Sequence, residues 1–297
     1  MEIYFAPLQG FTDFVFRNSH AKYFKGVNKY FTPFLRVENG EIRKKDIKDL
    51  SLSTVPNLVP QIMANSCVDV EILVQCVKNH GFKECDLNFG CPFPQQSKHF
   101  YGAGIWDKPE KVSEVLSALK NFPEISFSLK MRLGNTDVFQ TLDLIEVINS
   151  ADLKFVTIHP RLGKQMYSGE IDFKTFETLY EKLSFPIVYN GDLKTPADIE
   201  TLIKKYPKLK GVMIGRGLLS NPFLAEGSPF DKKRFMEFHN SLIDGYSEIY
   251  GGAEFMVLDK MKTFWTYSDK DKKVLKKIQK SKSLSEYIAS VAMAVQN

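Results

Sequence analysis

The sequence predicts an α/β fold: a (β/α)8 TIM barrel followed by a small C-terminal helical domain. Three observations carry the prediction. Short β-branched and aromatic runs recur roughly every thirty residues through the first 215 residues, segments with helical spacing lie between most of them, and strand-like runs cease after residue 230. Strands that alternate with helices of roughly 10–15 residues form parallel βαβ units, and eight units at this spacing close into a barrel.

In order, the strand segments are "IYFAPL", "KYFTPFL", "LVPQIM", "ECDLNF", "ISFSLKMRL", "FVTIHP", "PIVYNG" and "GVMIGRG". Helical spacing is clearest in "CVDVEILVQCVKNH", "PEKVSEVLSALKNF", "TDVFQTLDLIEVINS" and "TPADIETLIKKY", the last with Thr195 as N-cap and Pro196 at the first helical position. A doubly wound open sheet is the competing architecture. It is the weaker reading because the first turn, "APLQGFTD", lacks the G-x-G-x-x-G dinucleotide fingerprint. After "NPFLAEGSPF" the pattern becomes helical throughout, which sets a domain boundary near Ser228-Pro229 and gives domains 1–228 and 229–297. Residues 260–282 hold nine lysines against two aspartates. In "DKKVLKKIQK", Val274, Leu275 and Ile278 form an apolar stripe with lysines opposite, either a solvated helix face or a surface for phosphates.

With 43% hydrophobic and 25% charged residues the composition is that of a globular chain. A net charge of +5 favours a polyanionic partner without establishing one. The start, "MEIYFAPLQG", has neither a basic n-region nor an apolar h-region, and apolar runs fall short of the roughly 18 residues of a spanning helix. Cys67, Cys76, Cys85 and Cys91 form no C-x-x-C pair and have no matching histidine spacing, which argues against structural zinc and a disulfide framework. A cytoplasmic protein with reduced thiols and no metal is expected, with Cys67, Cys76 and Cys85 at buried helix or strand positions.

The C-terminal strand ends of such a barrel build its active site. Polar residues collect there: Gln61 on the third strand, Asn88 and Cys91 on the fourth, Lys130 and Arg132 on the fifth, His159 and Arg161 on the sixth. Asn190-Gly191-Asp192 ends the seventh and Gly215-Arg216 the eighth. Residues i and i+2 of a strand share a face, so Lys130 and Arg132 aim the same way, as do His159 and Arg161. The glycine turns after strands seven and eight lead into helices, the recurring phosphate site of this fold, where Arg216 would add a charge-assisted bond. Cys91 is the outlier: it sits between Gly90 and Pro92, where the backbone leaves the strand.

In this order and spacing, "APLQGFTD", "NFGCP", "GAG", "LKMRLG", "HPRLGKQMYSG", "NGD" and "GVMIGRGLLSNP" resemble the bacterial FMN-dependent tRNA-dihydrouridine synthases. The resemblance implies an FMN-binding barrel, a helical tRNA-binding domain, and reduction of the C5–C6 double bond of a D-loop uridine, with NADPH as electron source and a monomeric chain. By the same resemblance Ala6-Pro7-Leu8 would line the flavin ring, Gln61 would hydrogen-bond it, and Lys130 would sit near its N1–C2 edge. His159, Asn190, Gly191, Asp192, Gly215 and Arg216 would hold the ribityl phosphate. Asn88, Arg132 and Tyr167 match the positions that grip uracil, and Cys91 matches the proton donor. Lys98, in the loop after Cys91, is a further candidate RNA contact. Leu8 stands where methionine is common, and Pro160 where many members have glycine, which bears on subgroup rather than activity.

That chemistry gives the thiol a task. Hydride from reduced flavin to uracil C6 leaves enolate character at C5, which needs a proton. A thiol with a pKa of about 8.5 is protonated at neutral pH and can donate it. An apolar wall would keep it neutral, unlike a nucleophilic cysteine. The alternatives are a flavin barrel that reduces a free pyrimidine, a Schiff-base lyase using Lys130, and a non-catalytic RNA-binding relative. The lysine-rich tail argues against the first, and the presence of both Cys91 and Lys130 against the last.

Overall fold

Strands β1 (Glu2–Phe5) and β2 (Lys29–Phe31) precede a small antiparallel hairpin, β3 (Val37–Glu38) and β4 (Glu41–Ile42). Then come β5 (Leu58–Val59), β6 (Gln61–Ile62), β7 (Glu84–Phe89), β8 (Ser126–Arg132), β9 (Leu153–His159), β10 (Ile187–Asn190) and β11 (Gly211–Ile214). The structure is a computed structural model and describes residues 1–295. Apart from the hairpin, all strands join one parallel sheet in the order β5-β2-β1-β11-β10-β9-β8-β7-β6. Its two outermost members are consecutive in the chain, separated only by Pro60, so the sheet closes on itself.

Pro60 is what makes two short strands of the predicted "LVPQIM". Its nitrogen cannot donate to a ladder, but its carbonyl accepts from Asp86 N–H (2.8 Å), while the Val59 carbonyl accepts from Thr32 N–H (3.1 Å). One half therefore pairs backward with β2 and the other forward with β7. Counted as one stave, the pair completes eight, and every predicted strand has its counterpart.

Alternation along the strands divides the core. Tyr4, Phe31, Val59, Phe155, Val188 and Met213 pack with Ala6 in one cluster. The residues next to them in sequence, such as Phe5, Tyr30 and Val156, belong to the larger cluster shared with the helices. The Cys67–Asn79, Pro109–Ala118 and Pro196–Lys205 helices form where helical spacing predicts them. Thr195 caps the last of these by accepting from Asp198 N–H. The segment read as one helix in "TDVFQTLDLIEVINS" is instead two, Phe139–Leu142 and Ile145–Asn149. Between them Leu144 turns back to bond the Thr141 carbonyl (3.1 Å), breaking the i to i−4 ladder.

Beyond β11 the chain is helical: Arg216–Ser220, Lys232–Ile249, Glu254–Phe264, Lys272–Lys280 and Leu284–Ala294. The Lys232–Ile249 helix lies on the Phe14–Tyr23 helix, with Phe238 packed edge-on against Phe16 and Phe24. A Cβ on Gly245 would meet Val15 Cγ1 at 2.7 Å, so glycine permits this approach. Lys260 pairs with Asp13 (2.8 Å) and donates to the Gly10 carbonyl (2.6 Å), fastening the tail to the loop after β1.

Candidate active site

A cavity of about 540 Å³ opens at the C-terminal ends of the strands. Ala6, Pro7 and Leu8 contribute from the end of β1, Gln61 from β6, Asn88 and Cys91 from β7 and its loop, and Lys130 with Arg132 from β8. His159 and Tyr167 enter from β9 and its loop, Asn190, Gly191 and Asp192 from β10, and Gly215 with Arg216 from β11. Of the residues singled out in the sequence, Lys98 is not in the wall: it is exposed at the end of the short Pro94–Ser97 helix.

Cys91 is held by a chain of buried polar groups. The Asn88 side-chain oxygen accepts from Gly90 N–H and Cys91 N–H (both 2.9 Å), and its amide donates to Gln61 Oε1 (2.8 Å). Gln61 donates in turn to Asp86 Oδ2 (2.7 Å), whose other oxygen accepts from Ser128 Oγ (2.6 Å). These bonds fix the turn out of β7 and leave Asn88 one free N–H. The Cys91 carbonyl accepts from Ala103 N–H (2.9 Å). Phe34 and Met63 form an apolar cup around the thiol, with Tyr101 packed alongside. Burial pushes the thiol pKa up against the opposing pull of Arg132, Lys130 and Arg36. The group is therefore a neutral acid at pH 7.

Cations face it. Lys130 is partly shielded, and its ammonium has neither a hydrogen bond nor an ion pair among the described residues. Burial and the neighbouring Arg132 pull its pKa down to about 8, opposed by Asp86. The Arg132 guanidinium donates to the carbonyls of Gly90 (3.0 Å) and Leu162 (2.9 Å). Burial lowers its pKa to about 10, so it stays charged. His159 is held well below its ordinary value, first by burial and then by the surrounding cations, and is neutral. The guanidinium carbons of Arg132 and Arg216 lie 5.4 and 4.9 Å from the Tyr167 ring centroid.

Arg161 does not join Tyr167 and Lys130 in the wall. It braces the rim instead, donating to the Gly169 carbonyl (2.9 Å) and pairing with Asp192. Asp192 also accepts from Arg216 (2.6 Å), so the two arginines share one carboxylate. The Asn190 amide donates to the Met213 carbonyl (2.7 Å), tying β10 to β11.

Sequence reading missed other walls. Phe34, Phe93 and Lys194 line the cavity, as does Thr266–Asp269 from the helical tail. The tail contact depends on long-range docking, and the run "FWTY" was its only local hint. Cys67 corrects another expectation: it is exposed, Cys76 is half-buried, and only Cys85 is buried like a core residue. Among the described residues, no group of three or more His, Cys, Asp or Glu side chains is placed to hold a metal ion, and no helix is long and apolar enough to cross a membrane.

A closed parallel barrel that gathers a neutral thiol, an unpartnered ammonium and two glycine turns around one cavity at its C-terminal strand ends has the architecture of a barrel enzyme. The chain belongs to the dihydrouridine synthase family, whose model matches residues 4–295. It is 26% identical over 230 residues to tRNA-dihydrouridine synthase B of Pasteurella multocida, covering 75% of this chain and 67% of the relative. It is also 26% identical over 230 residues to the human tRNA-dihydrouridine(20a/20b) synthase [NAD(P)+]-like protein, covering 75% and 70%. Among solved structures, the old yellow enzyme homologue of Zymomonas mobilis superposes with a TM-score of 0.57 at 9% identity, covering 80% of this chain and 88% of that one. A morphinone reductase variant superposes at 0.55 with 10% identity, covering 79% and 90%. These two likenesses are of fold.

Proposed function

We propose that the protein is a tRNA-dihydrouridine synthase that uses FMN and NADPH to reduce the C5–C6 bond of a D-loop uridine. In this reading residues 1–228 form the catalytic barrel and 229–297 the tRNA-binding unit of a cytoplasmic monomer. The observation that carries it is the placement of a protonated Cys91 and an unpartnered Lys130 on one cavity of a dihydrouridine synthase family member.

The residues present suit a bound FMN. A cavity of about 540 Å³ falls in the range of small-ligand sites, roughly 300–1,000 Å³. A Cβ on Gly215 would meet Leu8 Cδ1 at 3.2 Å and Ala6 Cβ at 3.3 Å, so glycine leaves the space over the Ala6-Pro7-Leu8 wall open. Lys130 offers a free cation inside that space. Arg216 and the turns at Gly191 and Gly215 would take the phosphate, with Arg216 exchanging Asp192 for it. Gln61 would meet the ring edge, and His159 with Asn190 would border the ribityl chain. When bound, the flavin supplies the electron pair that saturates the uracil bond.

The chain's own groups do the rest. Arg132 and Tyr167 present a cation and an aromatic face to the uracil, and Asn88 offers its one free N–H. Cys91 gives its thiol proton to C5. The thiolate left behind faces Arg132, Lys130 and Arg36, whose positive charges stabilise it until water restores the proton. The apolar cup of Phe34 and Met63 keeps the thiol neutral between turnovers. Extruding the uridine from folded tRNA costs a few kcal/mol, which contacts of the lysine-rich Lys272–Lys280 helix with phosphates would offset; the exposed Lys98 would add one more.

The test is to purify the protein, identify the flavin released on denaturation, and follow dihydrouridine in unmodified tRNA by mass spectrometry with NADPH present. About one FMN per chain and NADPH-dependent dihydrouridine support the proposal. Protein that cannot be loaded with FMN, or loaded protein that leaves tRNA unchanged, overturns it.

A further inference from the structure

We infer that Tyr267, carried by the helical tail, is a stacking platform for the nucleotide flanking the extruded uridine; the inference rests on the tRNA-reduction reading above. The tail does not simply sit beside the barrel. Its segment Thr266–Asp269 forms part of the cavity wall, and a hydrogen bond from Ser220 Oγ to Asp269 (3.1 Å) ties that segment to the helix after β11.

Neighbouring aromatic residues divide the work. Trp265 is buried and anchors the segment, donating its indole N–H to the Tyr287 hydroxyl (2.8 Å). That hydroxyl also meets His239 Nε2 (2.8 Å) in the core of the tail. Tyr267, two residues on, is only half-buried. Its ring packs at a tilt of 47° against Phe11, with centroids 5.0 Å apart, and Phe11 itself lines the cavity. Its hydroxyl has no hydrogen-bond partner among the described residues, so protein contacts do not hold the phenol at that end. Tyr267 and Tyr167 line the same cavity.

The surroundings specify the ligand. The Lys272–Lys280 helix starts five residues after Tyr267, at most about 18 Å of extended chain away. A polyanion lying on those lysines is therefore within a few nucleotides' reach of the ring. In that reading the Ala6-Pro7-Leu8 wall takes the flavin and Cys91, Asn88, Arg132 and Tyr167 take the reacting base, which leaves Tyr267, on the tail segment of the same cavity, for a neighbouring one. Aromatic faces stack on any base, so the contact aids binding without reading sequence.

The experiment compares wild type, Tyr267→Phe and Tyr267→Ala for flavin content, NADPH-dependent flavin reduction, and kcat and KM with unmodified tRNA. The inference expects unchanged flavin content and reduction in both variants, wild-type kinetics in Tyr267→Phe, and a KM raised on the order of tenfold or more in Tyr267→Ala with kcat little changed. An unchanged KM in Tyr267→Ala overturns it. So does a phenylalanine variant as weak as alanine, which would assign the role to the hydroxyl, or flavin loss in Tyr267→Ala, which would assign the ring to cofactor binding or folding. Wild type that fails to reduce tRNA would instead defeat the underlying functional reading.

Discussion

Replacing Gly102 by alanine should disable the thiol without touching it. Gly102 has a φ of +57°, and an added Cβ would lie 2.6 Å from the Cys91 carbonyl oxygen, 2.7 Å from Cys91 Cβ and 3.0 Å from Cys91 N. An ordinary contact begins near 3.4 Å, so the Cys91 turn must retreat by about 0.8 Å. A misplacement of about 1 Å at a reacting group can cost on the order of 10²-fold in rate. Left-handed backbone adds roughly 1–2 kcal/mol for a residue with a Cβ, enough to lower Tm by a few degrees. The three nearest contacts all fall on Cys91, so flavin content and flavin reduction by NADPH should stay at wild-type levels. The assay is single-turnover formation of dihydrouridine by the reduced variant. Turnover within threefold of wild type, with an unchanged Tm, would refute the claim that this glycine fixes the thiol.

Lys130→Ala should weaken FMN binding or its reduction by NADPH, since it removes the unpartnered ammonium; normal values of both would count against that role. Because Lys130 is charged below a pKa of about 8 and neutral above it, FMN affinity of the flavin-free protein should decline as pH rises through 8, and a flat profile would contradict the assignment. Neutralising the exposed Lys272, Lys273, Lys276 and Lys277 together should weaken tRNA binding and flatten the slope of log affinity against log salt by roughly 0.7–0.9 per lost phosphate contact; an unchanged slope would make them a solvated face. His20 and His239 are buried and neutral, lowered by burial to about 3 and about 4. Unfolded chain takes up protons at these sites below about pH 6.5 while folded protein does not, so each withdraws up to roughly 2 kcal/mol between pH 7 and 5. Asp49 and Asp86, raised by burial to about 6, return a smaller part over the same interval. Thermal unfolding should therefore show a lower Tm at pH 5 than at pH 7, and a higher one would refute the balance.

The barrel was legible because its strands are short, β-branched and aromatic, and evenly spaced. The site was legible because a parallel barrel brings every strand's C-terminal end to one rim, so Gln61, Asn88, Lys130, His159, Asn190 and Arg216 needed no further information to converge. Local sequence could also place Thr195 as a cap and Ile278 on the apolar stripe of a lysine-rich helix. What could not be read depends on partners distant in the chain. Pro60 in "LVPQIM" breaks the stave only because its two halves bond different neighbours. Asp86 lies inside a strand, yet its carboxylate sets the orientation of Gln61 and, through it, Asn88. Arg161 shares the strand-end pattern of His159 but is drawn to Asp192, whose position depends on β10. Tyr267 reaches the cavity only because Phe238, Gly245 and Lys260 dock the tail on the first helix of the barrel.

The central claim is that Cys91 is the acid of the reaction, and Cys91→Ala tests it most directly. The variant should bind FMN and be reduced by NADPH as wild type is, because the thiol supplies neither a phosphate contact nor the charge of Lys130. Dihydrouridine formation in unmodified tRNA should fall on the order of 10²–10⁴-fold, the range for losing a general acid. Turnover within a few-fold of wild type, with flavin fully reduced, would contradict the account.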